Sequence, residues 1–195
     1  MSLDLDIQAL LRSPEVQEIN FDMRGLLVTG RGFTELATCF SDTPISHRIR
    51  VTVRPELVPI RGHAAFRGST DTILLRSPDV IHTVPGRKSL VHECTHAQVE
   101  LRGRGTSVRS EESAAFIASS WYLLACGVSD SEIDSLINPD IRTIAADLRT
   151  QAQTGGGIIS VSAEQINLAR RIIAGAYSMS YSDSDGVGGR IYRGS

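Results

Sequence analysis

Two histidines and a glutamate in one short segment carry the strongest chemical signal in this sequence. Residues 90–97 read LVHECTHA, so His92 and His96 are four positions apart and Glu93 directly follows the first histidine. On a helix, residues four apart lie on one face, where two imidazoles can bind the same metal ion. Glu93 is better placed to take a proton from a metal-activated water than to be a ligand. This is the chemistry of the HExxH motif, and it predicts a zinc site.

A third metal ligand is expected from the next helical segment. A catalytic zinc site uses three protein ligands and keeps its fourth position for water. Glu111 and Glu112 open the alanine-rich segment 110–126 and are separated from His96 by a glycine-containing loop. Two antiparallel helices joined by this loop would bring one of these carboxylates beside the histidines. The alternative is that both glutamates are ordinary first-turn acids, favoured by the helix dipole.

The predicted elements place these residues in the helical second half of an α+β chain. Residues 24–76 are predicted to be mainly strands, because stretches such as 48–53 alternate apolar and polar side chains. Helical spacing and cap residues predict helices up to residue 11, from residue 14, and over 88–103, 110–126, 130–137, 139–152 and 162–178. A helical start, a β-rich middle and a helical end are typical of segregated α+β folds.

The predicted helix over 88–103 has an apolar stripe that should face the core. Leu90, Cys94, Ala97 and Leu101 recur at helical spacing. Cys94 lies between the two motif histidines in sequence but belongs to this stripe. It is therefore expected to be a small buried thiol and not a metal ligand.

Composition limits the class of protein. A chain of 195 residues with 41% hydrophobic residues suits one domain, predicted over 1–179, with a glycine- and serine-rich flexible tail over 180–195. A net charge of -2 favours neither nucleic acid nor a membrane surface as partner. Three cysteines without a CxxC spacing indicate a reducing compartment, and no secretory signal peptide is recognisable, so a cytoplasmic location is expected. Apolar runs are too short to span a membrane.

The segments HECTH and EESAAF together resemble the gluzincin clan of zinc metallopeptidases, in which HExxH is followed by a helix bearing E-x-x-A. The resemblance covers about residues 70–125 and is closest to minimal, single-domain members and small predicted bacterial peptidases. It implies a zincin-like fold, with a small sheet followed by the HExxH helix and the glutamate helix. It also implies that His92 and His96 are zinc ligands and that Glu93 is the general base and acid. The third ligand is Glu112 or, in the alternative alignment, Glu111; Glu112 is preferred because small residues and then an aromatic residue follow it.

The resemblance also implies a strand that binds substrate. In gluzincins an antiparallel edge strand pairs with the substrate backbone above the zinc. The expected substrate-binding residues are Ala64, Ala65 and Phe66, with 72–75 as an alternative segment, and the competing interpretation is that both are core strands. The chain departs from the family where many members have an aspartate that orients a zinc ligand: Ala115 or Phe116 stands there. No oxyanion-stabilising residue is assigned by motif; the candidates are His63, His82, Tyr177, Tyr181 and Tyr192.

The resulting functional prediction is a zinc-dependent peptidase that acts on a peptide or protein substrate. Glu93 would serve as its general base and acid. Two other interpretations stay open: a non-catalytic interaction module stabilised by zinc, and a toxin or effector that carries the peptidase domain.

Overall fold

The fold is dominated by helices, with two small sheets beside them. A computed structural model describes residues 2–40, 49–60, 62–103 and 107–177. The helices are α1 (Leu3–Leu11), α2 (Pro14–Gln17), α3 (Gly30–Thr38), α4 (Val84–Leu101), α5 (Val108–Ala125), α6 (Asp130–Leu136), α7 (Pro139–Gly155) and α8 (Ala163–Tyr177). The strands are β1 (Asn20–Met23), β2 (Leu26–Thr29), β3 (Arg50–Val53), β4 (Ala64–Arg67), β5 (Thr72–Leu75) and β6 (Ile159–Ser160). The predicted α+β class, with a helical C-terminal part, is confirmed.

The strands form two separate three-stranded sheets. In the first sheet β1 is central, antiparallel to β2 and parallel to β6. In the second sheet β5 is central, parallel to β3 and antiparallel to β4, with Ala65 opposite Leu74 and Phe66 opposite Ile73. Strand β4 is therefore an edge strand, and its outer edge faces α4, with which it is in contact.

Cap residues explain where the functional helices begin. The Thr83 side chain accepts a hydrogen bond from the Gly86 amide at the start of α4, and Ser107 accepts one from the Ser110 amide at the start of α5. The Asn138 side chain accepts a hydrogen bond from the Asp140 amide at the start of α7. At the start of α8, Ser162 and Gln165 form a capping box through mutual hydrogen bonds. Of the helices in the described ranges, none combines the length and apolar character needed to cross a membrane.

Helix α4 lies at the centre of the molecule. It contacts α3, α5, β2 and β4, and every side chain from Lys88 to Val99 is buried. Leu90, Cys94 and Ala97 lie in the main apolar core, as the stripe predicts, whereas Leu101 is only partly buried. The polar side of the helix is buried as completely as the apolar side. An ordinary surface helix would leave that side in water.

Three elements differ from the predictions. Residues 30–38, expected to lie in the β-rich region, form α3, because the Thr29 side chain caps the helix and Phe33, Leu36 and Ala37 bury one face. Strands β1 and β6 were not predicted. Each is short and depends on a partner far away in sequence, as the pairing of Phe21 with Ile159 shows. The predicted tail over 180–195 lies outside the described residues.

Candidate metal centre

Helices α4 and α5 bring two histidines and one glutamate together. His92 and His96 lie one turn apart on α4, with their Nε2 atoms 3.4 Å from each other. Glu112, from the second turn of α5, places Oε2 at 3.3 Å from Nε2 of His92 and Oε1 at 3.7 Å from Nε2 of His96. Each residue offers one ligand atom, and these atoms lie within 4.8 Å of one another. The chain therefore contains a group that can hold a metal ion.

The spacing of the three ligand atoms fits a small divalent ion. Bonds of about 2.0–2.1 Å that meet at the tetrahedral angle place two nitrogen ligands about 3.3–3.4 Å apart. The two imidazole nitrogens are 3.4 Å apart, and one carboxylate oxygen is 3.3 Å from the first of them. Imidazole nitrogen with a single carboxylate is also a donor set that zinc accepts. The residues present therefore fit the expected ion by chemistry and by distance.

Burial makes these side chains costly without an ion. His92, His96 and Glu112 are 1%, 2% and 1% exposed. Burial lowers the pKa of His96 to about 3, an effect that Glu112 partly opposes and His92 reinforces. Burial, and then Lys88, lower the pKa of His92 well below its usual value. Both imidazoles are therefore neutral at pH 7, which is the protonation state that binds a metal ion.

Glu93 lies beside the three ligands and is held by the sheet. Its Oε2 accepts a hydrogen bond of 2.8 Å from the backbone N–H of Phe66 on β4. Its Oε1 is buried and has no hydrogen-bond partner among the described residues. Burial, and then the carboxylate of Glu112, raise the pKa of Glu93 well above its usual value, whereas Phe66 and Lys88 oppose the shift. One oxygen is thus fixed in place and the other is available to a proton.

The ring of His92 is oriented by α5 and not by an aspartate. The Phe116 ring packs edge-on against it, with ring centroids 4.6 Å apart and an interplanar angle of 70°. The backbone of Ala115 partly opposes the lowering of the His92 pKa, although Nδ1 of His92 makes no full hydrogen bond to a described residue. Both contacts come from the turn of α5 that follows Glu112.

Lys88 belongs to the same site, although no motif marks it. It precedes His92 by four residues on α4 and is only 4% exposed. Its Nζ lies 5.3 Å from the centroid of the Phe116 ring, the ring that also contacts His92. The available signal was its helical spacing from His92, together with its being the one lysine of the sequence.

Several predicted site residues can now be placed. Glu111 is buried in the first turn of α5, but the ligand group contains Glu112 and not its neighbour. Segment Thr72–Leu75 is the central strand β5, paired on both sides, so it cannot accept a substrate strand. The Arg102 guanidinium, from the residue that follows α4, donates to the backbone carbonyl of Leu27. Cys94 is fully buried, and burial raises its pKa, as expected for a core thiol.

Of the five candidate oxyanion residues, the two whose side chains the structure describes, His63 and His82, are not members of the ligand group. His63 is half-buried at the start of β4, and its pKa is lowered by burial, then by Arg76 and by Lys88. His82 is exposed. Tyr181 and Tyr192 lie outside the described residues, and the Tyr177 side chain is not described.

Comparisons of the chain with known protein families, with curated proteins and with solved structures find no match. The likeness to gluzincins therefore rests on the two motifs and on the geometry they produce. A zincin-like arrangement of the whole fold stays a prediction.

Proposed function

We propose that this chain is a zinc-dependent peptidase whose ion is held by His92, His96 and Glu112. The observation that carries the proposal is Glu93, a carboxylate fixed beside the three ligands with one oxygen uncommitted. A site that served only to hold an ion would gain nothing from a second buried carboxylate, because its desolvation is costly. When bound, a zinc ion would supply an acidified water and polarise the substrate carbonyl.

Glu93 would act as general base and then as general acid during hydrolysis. A general base works best when its pKa is close to the working pH, and burial together with Glu112 moves the pKa of Glu93 upward in that direction. Its uncommitted oxygen, Oε1, would take the proton from water and then give it to the leaving amine. The hydrogen bond from Phe66 would keep the carboxylate in one orientation during both transfers.

Strand β4 would bind the peptide backbone. The Arg76 amide donates to the His63 carbonyl, so His63 and Ala65 turn their backbone groups toward β5, and Ala64 and Phe66 turn theirs to the outer edge. Glu93 already uses the Phe66 N–H. The groups of this strand that would pair with a substrate are the N–H and carbonyl of Ala64.

The burial of the centre supports a second candidate function, a metal-stabilised module without catalysis. Glu93 and the three ligands are at most 2% exposed, so a peptide bond reaches Glu93 only after a movement that opens the site. In the non-catalytic alternative the ion would stabilise the packing of α4 against α5, and Glu93 would be dispensable. Loss of the Glu93 carboxylate should therefore abolish the function of a peptidase and leave the function of a non-catalytic module unchanged.

Metal content and peptidase activity of matched variants test the proposal. We expect about one zinc per chain in the wild type, in Glu111→Ala and in Glu93→Gln, and a loss of bound zinc in Glu112→Ala. A peptide-library screen should then show cleavage by the wild type that Glu93→Gln lowers by about a hundredfold or more. A zinc-loaded wild type without peptidase activity would support the non-catalytic module. A wild type that binds no zinc after reconstitution would rule out both.

A further inference from the structure

Lys88 forms one row with the two ligand histidines. Residues 88, 92 and 96 recur every four positions on α4, so their side chains follow one another along one face. The ring of Phe116 lies beside this row and contacts both the ammonium of Lys88 and the imidazole of His92. The cation is therefore built into the wall of the centre and does not reach outward to solvent.

The charge of this lysine is maintained despite burial. Burial lowers the pKa of Lys88 to about 8, and Glu93 and then Glu112 oppose the shift. The contact with the Phe116 ring adds a cation–π attraction. A buried ammonium is costly and is retained where it has a charge to meet.

The loaded centre would present two positive groups to a developing anion, the divalent ion and the Lys88 ammonium. A divalent ion is balanced by the carboxylates of Glu93 and Glu112, since both imidazoles are neutral. Lys88 adds a further positive group, and its side chain is buried in the wall of the centre. Hydrolysis of a peptide bond creates an anionic oxygen on the attacked carbon, and fixed positive groups aimed at such an oxygen lower the barrier.

We propose that Lys88 is the oxyanion-binding residue of this centre, an inference that rests on the proposed function. Water oxygen bonds to the carbonyl carbon, Glu93 takes a water proton, and the electron pair of the carbonyl bond moves to its oxygen. The Lys88 ammonium donates a hydrogen bond to that oxygen. When the carbonyl re-forms, the C–N bond breaks and the amine leaves with the proton from Glu93. Lys88 thus fills the role for which no tyrosine or histidine is assigned by motif.

Anion binding to the metal-loaded chain tests the role of Lys88 without any substrate. The full chain is loaded with Co2+, and inorganic phosphate, a tetrahedral anion, is titrated while the visible absorption of cobalt is followed. The variants are Lys88→Met and Lys88→Arg. The control is Arg87→Met, which removes the charge of the adjacent residue; the Arg87 guanidinium donates a hydrogen bond to the Tyr122 hydroxyl. Cobalt affinity is measured for each variant by calorimetry.

We expect Lys88→Met to weaken phosphate binding without weakening cobalt binding. Phosphate affinity should fall by about tenfold or more, because a charge-assisted hydrogen bond is lost. Cobalt affinity should stay constant or rise, because a repelling charge has gone. Lys88→Arg should keep most of the phosphate affinity, and Arg87→Met should change both affinities by less than about twofold.

Three results would overturn the inference. Unchanged phosphate affinity in Lys88→Met, with cobalt bound, would remove the oxyanion role and leave the proposed function intact. A parallel fall of cobalt and phosphate affinity in both Lys88 variants would make the lysine a packing residue. A wild type that takes up no cobalt would overturn the proposed function, and the inference with it.

Discussion

Helices α4 and α7 are of similar length, yet they are buried in opposite ways. Helix α7 buries one apolar face, formed by Ile141, Ile144, Ala145 and Leu148, and leaves much of its polar side in solvent. Helix α4 buries all of residues 88–99, including a lysine, a glutamate and two histidines. The first pattern is how an amphipathic helix stabilises a fold. The second costs stability and therefore needs a different explanation.

The difference identifies the region where function is expected. Each isoleucine or leucine side chain that α7 buries contributes about 1.5–3 kcal/mol to folding. On α4, Lys88, His92, Glu93 and His96 are desolvated, and burial is the first cause of every pKa shift among them. An ion held by the histidines and Glu112 would compensate part of this cost. The stability of α4, unlike that of α7, should therefore depend on metal and on pH.

The largest expected effect is that of the metal on stability. Zinc at a thousandfold excess over its dissociation constant should raise the free energy of unfolding by about 4 kcal/mol, because it binds the folded chain only. Chemical denaturation in zinc and in chelator measures the difference. Glu112→Ala should lose most of this increment, because the third ligand is gone.

A variant of α7 provides the control for the metal effect. Leu148 is fully buried and is not a member of the ligand group. Leu148→Ala should lower the free energy of unfolding by about 3 kcal/mol both with zinc and with chelator, because it leaves a cavity in the core. The increase in the free energy of unfolding that zinc produces should be the same in this variant as in the wild type. An equal zinc increment in Glu112→Ala and the wild type would contradict the assignment of the site.

An intermediate effect is expected from acid on the metal-free chain. Buried His92 and His96 resist protonation, the latter to a pKa of about 3, whereas unfolded histidine takes up a proton near 6.5. The unfolded chain then binds more protons, so stability falls as pH drops below 6.5. Glu93 opposes this fall, because its raised pKa lets the folded chain keep a proton that the unfolded chain releases above about 4.5.

The variant Glu93→Gln sharpens the acid test. The unfolded chain takes up protons at His92, His96 and His63, whose pKa values are all lowered in the folded chain, and the proton that the folded chain keeps on Glu93 offsets part of this uptake. Without the opposing glutamate, stability should fall more steeply between pH 6.5 and pH 5, by at most about 1.4 kcal/mol per pH unit for the one proton removed. Denaturation in chelator at several pH values measures both slopes. Equal slopes in the two proteins would show that Glu93 does not hold a proton in the folded chain.

The parts of the site that depend on local spacing could be predicted from the sequence. His92, Glu93 and His96 follow from one helical turn, and a carboxylate from α5 follows from the short loop between the helices. The choice between Glu111 and Glu112 depends on the rotation of α5 about its axis. Adjacent helical residues differ by about 100° in direction, and no local signal sets that angle. The small residues after Glu112 were a guide, and the ligand group does contain Glu112.

The parts that depend on distant contacts could not be predicted in the same way. The hydrogen bond from Phe66 to Glu93 joins residues 27 positions apart, and β6 pairs with β1 across most of the chain. The burial of the polar side of α4 likewise depends on what covers it. The burial of Lys88 beside the ligands could therefore not be predicted, although its four-residue spacing from His92 is present in the sequence. Helix α3 was not predicted for a local reason. Its apolar residues have helical spacing, but its first turn contains two glycines.

The smallest expected effect comes from two matched caps, Ser107 on α5 and Asn138 on α7. Each side chain accepts a hydrogen bond from a first-turn amide of its own helix. Replacing either residue by alanine should cost about 1 kcal/mol of stability, because one amide loses its partner. The two variants should differ in zinc affinity. Loosening the start of α5 also loosens Glu112, which lies just beyond the first turn, so Ser107→Ala should weaken zinc binding by at most about fivefold.

Asn138→Ala should bind zinc as the wild type does, because no ligand lies on α7. Calorimetric titration at equal fractions of folded protein separates the affinity from the stability. If both caps lowered zinc affinity equally, the site would respond to global stability and the contrast between the two helices would fail. If only Ser107→Ala did so, the ligand geometry would depend on the first turns of α5. Helices α4 and α5 would then differ from α7 both in the burial of polar side chains and in their effect on zinc affinity.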